Sequence, residues 1–277
     1  MGVQLKSSVS VIIPAFDEER HLAACLETLR LQTLPGAEII VVDDGSRDAT
    51  AAIAHRASVC LVRQPHLGMA PARNRGAEAS AGEILCFLDA DMTFAANFLE
   101  RLTAPIREGR AVSTWSKEEF VANAGEGWAT LWTLNEGLPT GHRVFPNLPD
   151  LAPGIRAIRR EPFFAVGGFD DEGYYSDMSV SKKLGTLALA APGAVCYHNN
   201  PSTPREVFLA ARWIGRAGRV GGLGDAWLLR NPVSSLRHAR YLARAHGRPG
   251  FYLFRPLFDL GFLVGALQRR FGANGAK

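Results

Sequence analysis

The stretch Ile84–Met92, with the sequence ILCFLDADM, decides the fold of this 277-residue chain. Its apolar start is typical of a strand buried in a parallel sheet, and it ends abruptly in two carboxylates, Asp89 and Asp91. Open α/β sheets bind ligands at the carboxyl ends of their strands. Two hard oxygen ligands there suit Mg²⁺ or Mn²⁺ carrying a diphosphate, whereas a strand followed by an acidic turn is the simpler alternative.

Strand and helix signals alternate through the first hundred residues. The pattern predicts strands over 9–13, 38–42, 59–62 and 83–88, and helices over 19–31, 48–56, 70–79 and 94–107. Such alternation means βαβ crossovers, so the predicted fold class is α/β with a mainly parallel sheet flanked by helices. We expect a domain over 1–204, with halves 1–110 and 111–204, followed by a helical, basic region over 205–277.

Composition limits the class of protein. A hydrophobic content of 47% and a charged content of 21% are ordinary for a globular chain. The four cysteines, at 25, 60, 86 and 196, are too widely spaced for a zinc site or a disulfide framework and indicate reduced thiols. We see no signal peptide and no apolar run of the ~18 residues that a membrane span needs, so we expect a cytoplasmic protein.

Positive charge is concentrated in the last quarter of the chain. Residues 1–203 hold 18 Lys and Arg against 24 Asp and Glu, whereas residues 204–277 hold 13 against 3. Aromatic residues such as Trp213, Trp227 and Phe251 are interspersed among these arginines. Because no nucleic-acid motif accompanies the charge, an anionic membrane surface is the favoured partner and nucleic acid is not. The alternative is that the helices of this region cover the preceding domain or form a homodimer interface.

The apolar stretch Phe251–Leu267 belongs to this basic region. Arg255, Pro256 and Asp259 interrupt it, so it is too broken to cross a bilayer. A basic segment with an apolar face can lie in the lipid interface instead. The sequence therefore predicts a peripheral protein on the inner face of the cell membrane.

Acidic pairs follow three of the predicted strands. They are Asp17-Glu18, Asp43-Asp44 and the pair Asp89 and Asp91. The carboxyl ends of parallel strands meet at one edge, so these side chains should surround one crevice. Asp44 could accept hydrogen bonds from a base or a ribose, although turn formation explains it as well.

Further candidates lie outside these pairs. Arg73 and Arg75, at the start of a predicted helix, could hold a diphosphate, or could belong to a solvated basic face. Asp177 precedes an amphipathic segment and could act as a general base or as a helix cap. His198 follows a short apolar segment and could be a third ligand to a metal held by Asp89 and Asp91.

Taken together, four blocks of sequence resemble glycosyltransferase family 2. They are 9–19 (VSVIIPAFDEE), 39–50 (IIVVDDGSRDAT), 72–76 (ARNRG) and 88–91 (LDAD), and the resemblance extends over roughly residues 9–200. It implies the GT-A fold, a Rossmann-like nucleotide-sugar domain. It also implies a metal-dependent, inverting transfer from a UDP- or GDP-linked sugar to an acceptor hydroxyl.

The resemblance also implies roles for individual residues. Those expected at the donor nucleotide are Pro14, Ala15, Glu18, Asp44 and Arg73, with Asp44 at the base. Asp89 and Asp91 match the DxD motif, in which the second aspartate binds the Mn²⁺ or Mg²⁺ ion, and His198 matches a C-terminal metal ligand. Asp177 falls at the catalytic base, although Ser176 replaces the glutamate that usually precedes it. The block Gly167–Asp170 matches the familiar GGFDE motif, with Asp171 where glutamate is usual.

The acceptor half is less informative. Arg212-Trp213 is present but position 209 is leucine, so the motif of processive polysaccharide synthases is incomplete and single-sugar transfer is expected. The acceptor should be a glycan or a lipid-linked glycan of the cell surface. Trp115, Trp128 and Trp132 could form a platform for its sugar rings or could be core residues.

Two rival functions follow from the same residues. The stretch 87–93 fits a haloacid-dehalogenase-like phosphatase with Asp89 as its nucleophile, although that motif usually follows a first strand. Because Ser176 replaces the usual glutamate, the second rival is a scaffold protein that binds a nucleotide sugar without catalysing its transfer. A nicotinamide dehydrogenase is disfavoured because no GxGxxG follows the first strand.

Overall fold

The structure is a computed structural model that describes residues 8–217 and 230–271. It divides into two compact units, one of residues 1–120 with 146–198 and one of residues 121–145 with 199–277. The prediction placed a boundary at residue 204, and the contacts group residues 121–145 with the C-terminal helices. Trp227 lies outside the described residues.

Eleven strands are described. They are β1 (Val9–Ala15), β2 (Glu38–Asp43), β3 (Cys60–Arg63), β4 (Ile84–Phe87), β5 (Met92–Phe94), β6 (Ser113–Trp115), β7 (Glu118–Val121), β8 (Leu151–Ala152), β9 (Ala157–Arg159), β10 (Ala188–Ala190) and β11 (Val195–His198). The large sheet has the order β3-β2-β1-β4-β9-β6-β10-β8, and the small sheet the order β5-β11-β7. Strands β1 to β4 pair in parallel, whereas β9 runs antiparallel to both β4 and β6.

Ten α-helices are described. They are α1 (Leu22–Arg30), α2 (Thr50–Arg56), α3 (Met69–Ala79), α4 (Phe98–Arg107), α5 (Gly127–Asn135), α6 (Arg160–Ala165), α7 (Ser176–Leu184), α8 (Pro204–Ala217), α9 (Pro232–His246) and α10 (Phe251–Arg270). Helix α4 begins at Phe98 and not at Phe94 as predicted, because Met92–Phe94 pairs as a strand with β11. None of the described helices is long and apolar enough to cross a membrane.

The large sheet of the first unit is covered on both faces. Val11 and Ile13 of β1 pack into one core cluster, and Ile12 between them packs into the other, as the two-residue period of a strand requires. Helix α3 lies close to the sheet because Gly76 faces Ile12 and Val42 with no side chain of its own. This α/β architecture confirms the predicted fold class.

The second unit is helical. Its main core cluster joins α5, α8, α9 and α10, and it includes Phe251, Phe254 and Phe258 of α10. Helices α8 and α10 approach closely because Gly261 and Gly265 face the backbone carbonyls of Phe208 and Arg212. No side chain fits there without displacing a backbone.

Replacing Gly265 by alanine should therefore destabilise the second unit. An added Cβ meets the carbonyl oxygen of Arg212, and overpacking of this kind costs ~1–3 kcal/mol. Gly127→Ala is the matched control, since nothing lies within 4 Å of a Cβ at that position in α5. Urea denaturation of both variants measures the difference, and equal midpoints would contradict the close α8–α10 packing.

Candidate active site

Three acidic loops meet at the carboxyl edge of strands β1, β2 and β4. The loops lie close enough together that the charges of Asp89 and Asp91, after β4, act on the Glu18 carboxylate, after β1. Burial raises the pKa of Glu18, its hydrogen bond with His21 opposes the shift, and the charge of Asp91 adds to it. The chain thus gathers carboxylates where its parallel strands end, as the sequence predicted.

Asp89 lies between two arginines. Its Oδ1 accepts a hydrogen bond from Arg73 Nη2 at 2.7 Å, and its Oδ2 accepts one from Arg156 Nη1 at 2.8 Å. Burial alone would raise the pKa of Asp89, but the charges of Arg156 and Arg73 outweigh burial and hold it well below its ordinary value. Both carboxylate oxygens of the first DxD aspartate are therefore engaged by guanidinium groups.

The two arginines reach Asp89 from different elements. Arg73 lies in α3, where it is almost fully buried, and its Nε has no hydrogen-bond partner. Arg156 directly precedes β9, and its carbonyl accepts the Phe87 amide at 2.8 Å, which places it beside the end of β4. Arg156 was not predicted as a site residue, because nothing local in the sequence shows that β9 inserts antiparallel next to β4.

Asp91 contacts His198 and, through it, Glu119. The His198 Nε2 lies 3.0 Å from Asp91 Oδ1, and its Nδ1 lies 2.8 Å from Glu119 Oε1. The small sheet produces this contact, because β5 follows the DxD motif directly and pairs with β11, which ends at His198. Glu119, on the neighbouring strand β7, also accepts a bond from Arg156 Nη2 at 3.1 Å and was not predicted.

The pair of Asp91 and His198 fits a divalent cation that a ligand helps to hold. The described residues contain no group of three or more His, Cys, Asp or Glu side chains able to hold a metal alone. A carboxylate oxygen and an imidazole nitrogen are nevertheless suitable donors, and Glu119 behind the imidazole fixes the ring with Nε2 towards Asp91. Mg²⁺ and related ions commonly complete their coordination with substrate phosphates and water.

Asp177 has a buried oxygen without a partner. It lies in the first turn of α7, and its Oδ1 makes no hydrogen bond. Burial raises the pKa of this carboxyl, the charges of Arg73 and Arg156 oppose the shift, and the charge of Asp89 adds to it. The capping alternative has no support, because α7 begins at Ser176 after Tyr175 and no side chain caps it. A carboxylate in this state is suited to accept a proton.

The glycine-rich turn before Asp177 is attached to α3. The side chain of Asn74 donates to the Phe169 carbonyl and accepts from the Phe169 amide, both at 2.9 Å. Gly168 has a φ of +68°, and a Cβ there would lie 2.5 Å from Asn74 Oδ1. The GGFD block therefore serves to fix the chain that leads to Asp177.

Four of the residues expected at the nucleotide lie at or just after the ends of the first two strands, and the fifth, Arg73, lies in α3. Pro14 and Ala15 end β1, and the Ala15 carbonyl accepts the Asp44 amide at 2.9 Å. The Asp44 carboxylate accepts the backbone amides of Leu67 and Gly68 at 2.8 and 2.9 Å and so shapes the loop before α3.

The other cation of α3, Arg75, does not point into this cluster. It is exposed and lies 3.4 Å from Glu78 of the same helix. Arg75 therefore belongs to a solvated helix face, which was the alternative to a diphosphate contact. Arg73, two residues earlier, is buried beside Asp89.

A family model for glycosyl transferase family 2 matches residues 10–166. The chain belongs to this family. Its relatives include glycosyltransferase AglE of Haloferax volcanii, 41% identical over 101 residues, which are 34% of this chain and 33% of AglE. Glycosyltransferase GlyA of Streptococcus pneumoniae is 32% identical over 108 residues, 37% of this chain and 16% of GlyA. The matched part thus spans a third or less of these relatives.

Solved structures resemble this chain in fold. Mannosyltransferase PcManGT from Pyrobaculum calidifontis, in complex with GDP-Man and Mn²⁺, has a TM-score of 0.60 at 19% identity and covers 96% of this chain and 88% of its own. Residues 1–349 of S. aureus TarS in complex with UDP-GlcNAc have a TM-score of 0.55 at 17% identity, covering 96% and 92%. The GT-A fold is thereby confirmed.

Family 2 membership leaves the phosphatase and dehydrogenase alternatives without support. The structure adds that both oxygens of Asp89, the nucleophile of the phosphatase hypothesis, are held by arginines. An aspartate bound in this way is poorly placed to attack phosphorus.

The three tryptophans considered for the acceptor pack against other side chains. Trp115 lies in the core of the first unit, and its indole nitrogen donates to the Asp150 carbonyl at 3.1 Å. In the second unit, Trp132 is buried and Trp128 half-buried, and both rings pack against Phe254. Packing is thus the observed role of Trp115 and Trp132, and Trp128 keeps part of its surface free.

Proposed function

We propose that this family 2 chain is an inverting glycosyltransferase that moves one sugar from a UDP- or GDP-sugar to an acceptor hydroxyl. The observation that carries the proposal is the unpartnered oxygen of Asp177, in a cluster whose other carboxylates are all engaged by cations or histidine. An available base next to a cation-rich site is what hydroxyl attack on a diphosphate sugar requires.

Donor binding would use the cations around Asp89. The Nε of Arg73 is buried and lacks a partner, so it has a hydrogen bond to offer to a phosphate oxygen. Pro14, Ala15, Glu18 and Asp44 lie on the strand ends where the nucleotide is expected. The complexes of PcManGT with GDP-Man and of TarS with UDP-GlcNAc support a nucleotide-sugar donor for this chain.

Asp91 and His198 are the residues that would hold a divalent cation at the donor site. When bound, it supplies Lewis-acid neutralisation of the charge on the leaving group. Asp89 takes the role of holding Arg73 and Arg156 in place, and Glu119 orients His198. The Mn²⁺ in the PcManGT structure supports the choice of metal.

Asp177 would receive the proton of the acceptor hydroxyl. As the proton leaves, the acceptor oxygen forms a bond to the anomeric carbon from the face opposite the diphosphate. The bond between that carbon and the diphosphate oxygen breaks, and its electrons go to the leaving group. A single displacement of this kind inverts the anomeric configuration. A glycan or lipid-linked glycan in cell-surface polysaccharide or glycolipid synthesis is the acceptor that we propose.

A thermal-shift screen tests the donor site. UDP, GDP, dTDP and CMP, and sugar conjugates of each, are added with and without Mn²⁺. A ligand at 100 times its Kd stabilises the fold by ~2.7 kcal/mol, so we expect one nucleoside diphosphate to raise the Tm in the presence of Mn²⁺.

The control for this screen is Asp91→Asn, which should lose the metal-dependent part of the shift. A folded chain that responds to no nucleotide would contradict the donor site. A nucleotide sugar that binds without transfer or hydrolysis would instead favour the scaffold that the change to Ser176 suggested.

A further inference from the structure

From Phe251 to Leu267, helix α10 buries its charged residues in the second unit and exposes several leucines. Arg255 and Asp259 are 7% and 1% exposed, whereas Leu253 and Leu260 are 71% and 54% exposed. A surface helix of a protein surrounded by water has the opposite arrangement. The outer face of α10 is therefore matched to surroundings that are less polar than water.

The buried charges of α10 are fully accounted for by the fold. Arg255 Nε and Nη2 donate to the two carboxylate oxygens of Asp259 at 2.8 and 2.9 Å, and its Nη1 donates to Asn135 of α5 at 2.7 Å. Arg230 Nη1 also donates to Asp259, at 2.7 Å. These groups stabilise the helical core and contribute nothing to the polarity of the outer face.

The outer face is continuous. Leu253, Leu260 and Leu267 follow one another at seven-residue steps, which keeps them on one side of the helix over ~21 Å at 1.5 Å per residue. Pro256 and Val264 lie half-buried between them. All five side chains are apolar, and Arg269 and Arg270 follow at the C-terminal end of the helix.

The preceding helix, α9, presents cations. It buries Ser235, Ala239 and Leu242 and exposes, on the opposite side, the row Arg237, Arg240 and Arg244. The sequence has no aspartate or glutamate from residue 230 to residue 258. This row is therefore not neutralised by acids of its own helix or of the first two turns of α10.

We propose that the outer faces of α9 and α10 bind the surface of an anionic phospholipid bilayer. The leucines of α10 would enter the boundary between headgroups and acyl chains, and the arginines of α9 would contact lipid phosphates. Charge favours a bilayer over a second copy of the chain packed through the same faces, because such a pair would bring the same cations together. Lipid binding needs neither a donor nor an acceptor sugar, so the inference stands apart from the proposed transfer reaction.

Vesicle flotation of the full chain tests the apolar face. We expect the chain to float with vesicles of phosphatidylcholine and phosphatidylglycerol, and the double variant Leu253→Glu/Leu260→Glu to bind them at least ~10-fold more weakly, since it inserts charge where apolar surface is buried. The control is Leu31→Glu/Leu187→Glu, which changes two leucines exposed to similar degrees in the first unit. Unchanged binding by the α10 variant would overturn the assignment of this face.

The cationic row has its own test. Arg240→Gln/Arg244→Gln should partition roughly 30-fold more weakly into the same vesicles, which corresponds to ~1 kcal/mol per cation. Arg56→Gln/Arg110→Gln removes the same charge from exposed positions of the first unit and should have a smaller effect. Added salt should weaken binding of the parent chain more than binding of the α9 variant.

Two further results would overturn the proposal. One is a parent chain that does not bind anionic vesicles but whose Tm is still raised by a nucleotide in the thermal-shift screen. That result would not affect the proposed function. The other is a chain that is dimeric without lipid, that Leu253→Glu/Leu260→Glu makes monomeric, and that never floats. That pattern would assign the leucine face to a second copy.

Discussion

Replacing Asp177 by asparagine is expected to slow sugar transfer by ~10²–10⁴-fold, the usual contribution of a positioned base, and to stabilise the fold at neutral pH. The two effects have one cause. Asp177 carries a buried oxygen without a hydrogen-bond partner, and burial raises the pKa of its carboxyl. Asparagine keeps the shape, cannot accept the proton and carries no charge to desolvate. Turnover and Tm of the same preparation measure both effects.

The stability effect should depend on pH in a definite direction. A carboxyl whose pKa is raised by folding favours the folded state below its unfolded pKa, and this contribution is lost as the pH rises through the folded value. The Tm difference between Asp177→Asn and the parent chain should therefore grow from acid to neutral pH. Asp150→Asn is the control, because this exposed carboxylate pairs with Lys117 and should change neither quantity much. An Asp177→Asn variant with parental turnover would show that another group takes the proton.

Asp89→Ala is expected to destabilise the chain by ~3–5 kcal/mol, the cost of leaving a buried charge without its partner. Asp89 is the shared acceptor of Arg73 and Arg156, and Arg73 is almost fully buried. Asp91→Ala should cost far less, because it removes a contact to His198 and leaves both arginines paired with Asp89. Urea denaturation compares the two variants, and Mn²⁺-dependent nucleotide binding should be lost in Asp91→Ala even though it folds.

The pH dependence of Asp89 has the opposite sign to that of Asp177. The two arginines hold the pKa of Asp89 well below its ordinary value, although burial opposes them. Its contribution is present above the unfolded pKa of ~3.9 and is lost as the pH falls towards the folded value. The gap between the parent chain and Asp89→Ala should be constant from neutral pH to about pH 4 and shrink below that. Equal stability of Asp89→Ala and Asp91→Ala at neutral pH would show that the two aspartates do not divide these roles.

Local sequence patterns were sufficient to predict the strands and helices of the first half of the fold. Strands β1, β2 and β4 and helices α1 and α3 follow from apolar runs and helical spacing, which depend on neighbouring residues alone. The same holds for the gathering of Glu18, Asp44, Asp89 and Asp91, because parallel strands that alternate with helices bring all these loops to one edge.

Features that depend on distant pairing were not predicted from the sequence. Arg156 is an ordinary basic residue in the sequence, and only the insertion of β9 beside β4 brings it to Asp89. Glu119 likewise gains its role from a strand that pairs with β11, some eighty residues later in the chain. The sequence also does not show whether a large aromatic residue binds a ligand or belongs to the core, because this depends on packing with distant residues. Trp115 and Trp132 proved to be core residues.

The late position of β9 in the chain affects how the large sheet forms during synthesis. Strands β1 to β4 are complete by Phe87, but β4 receives its second partner only when Ala157–Arg159 has been made. During synthesis the nascent half-sheet therefore exposes the hydrogen-bonding edge of an apolar strand, an arrangement that invites pairing with other chains. We expect ribosome-bound chains that end between β4 and β9 to aggregate or to recruit chaperones, and chains that extend past Arg159 to lose this tendency as β9 covers the edge.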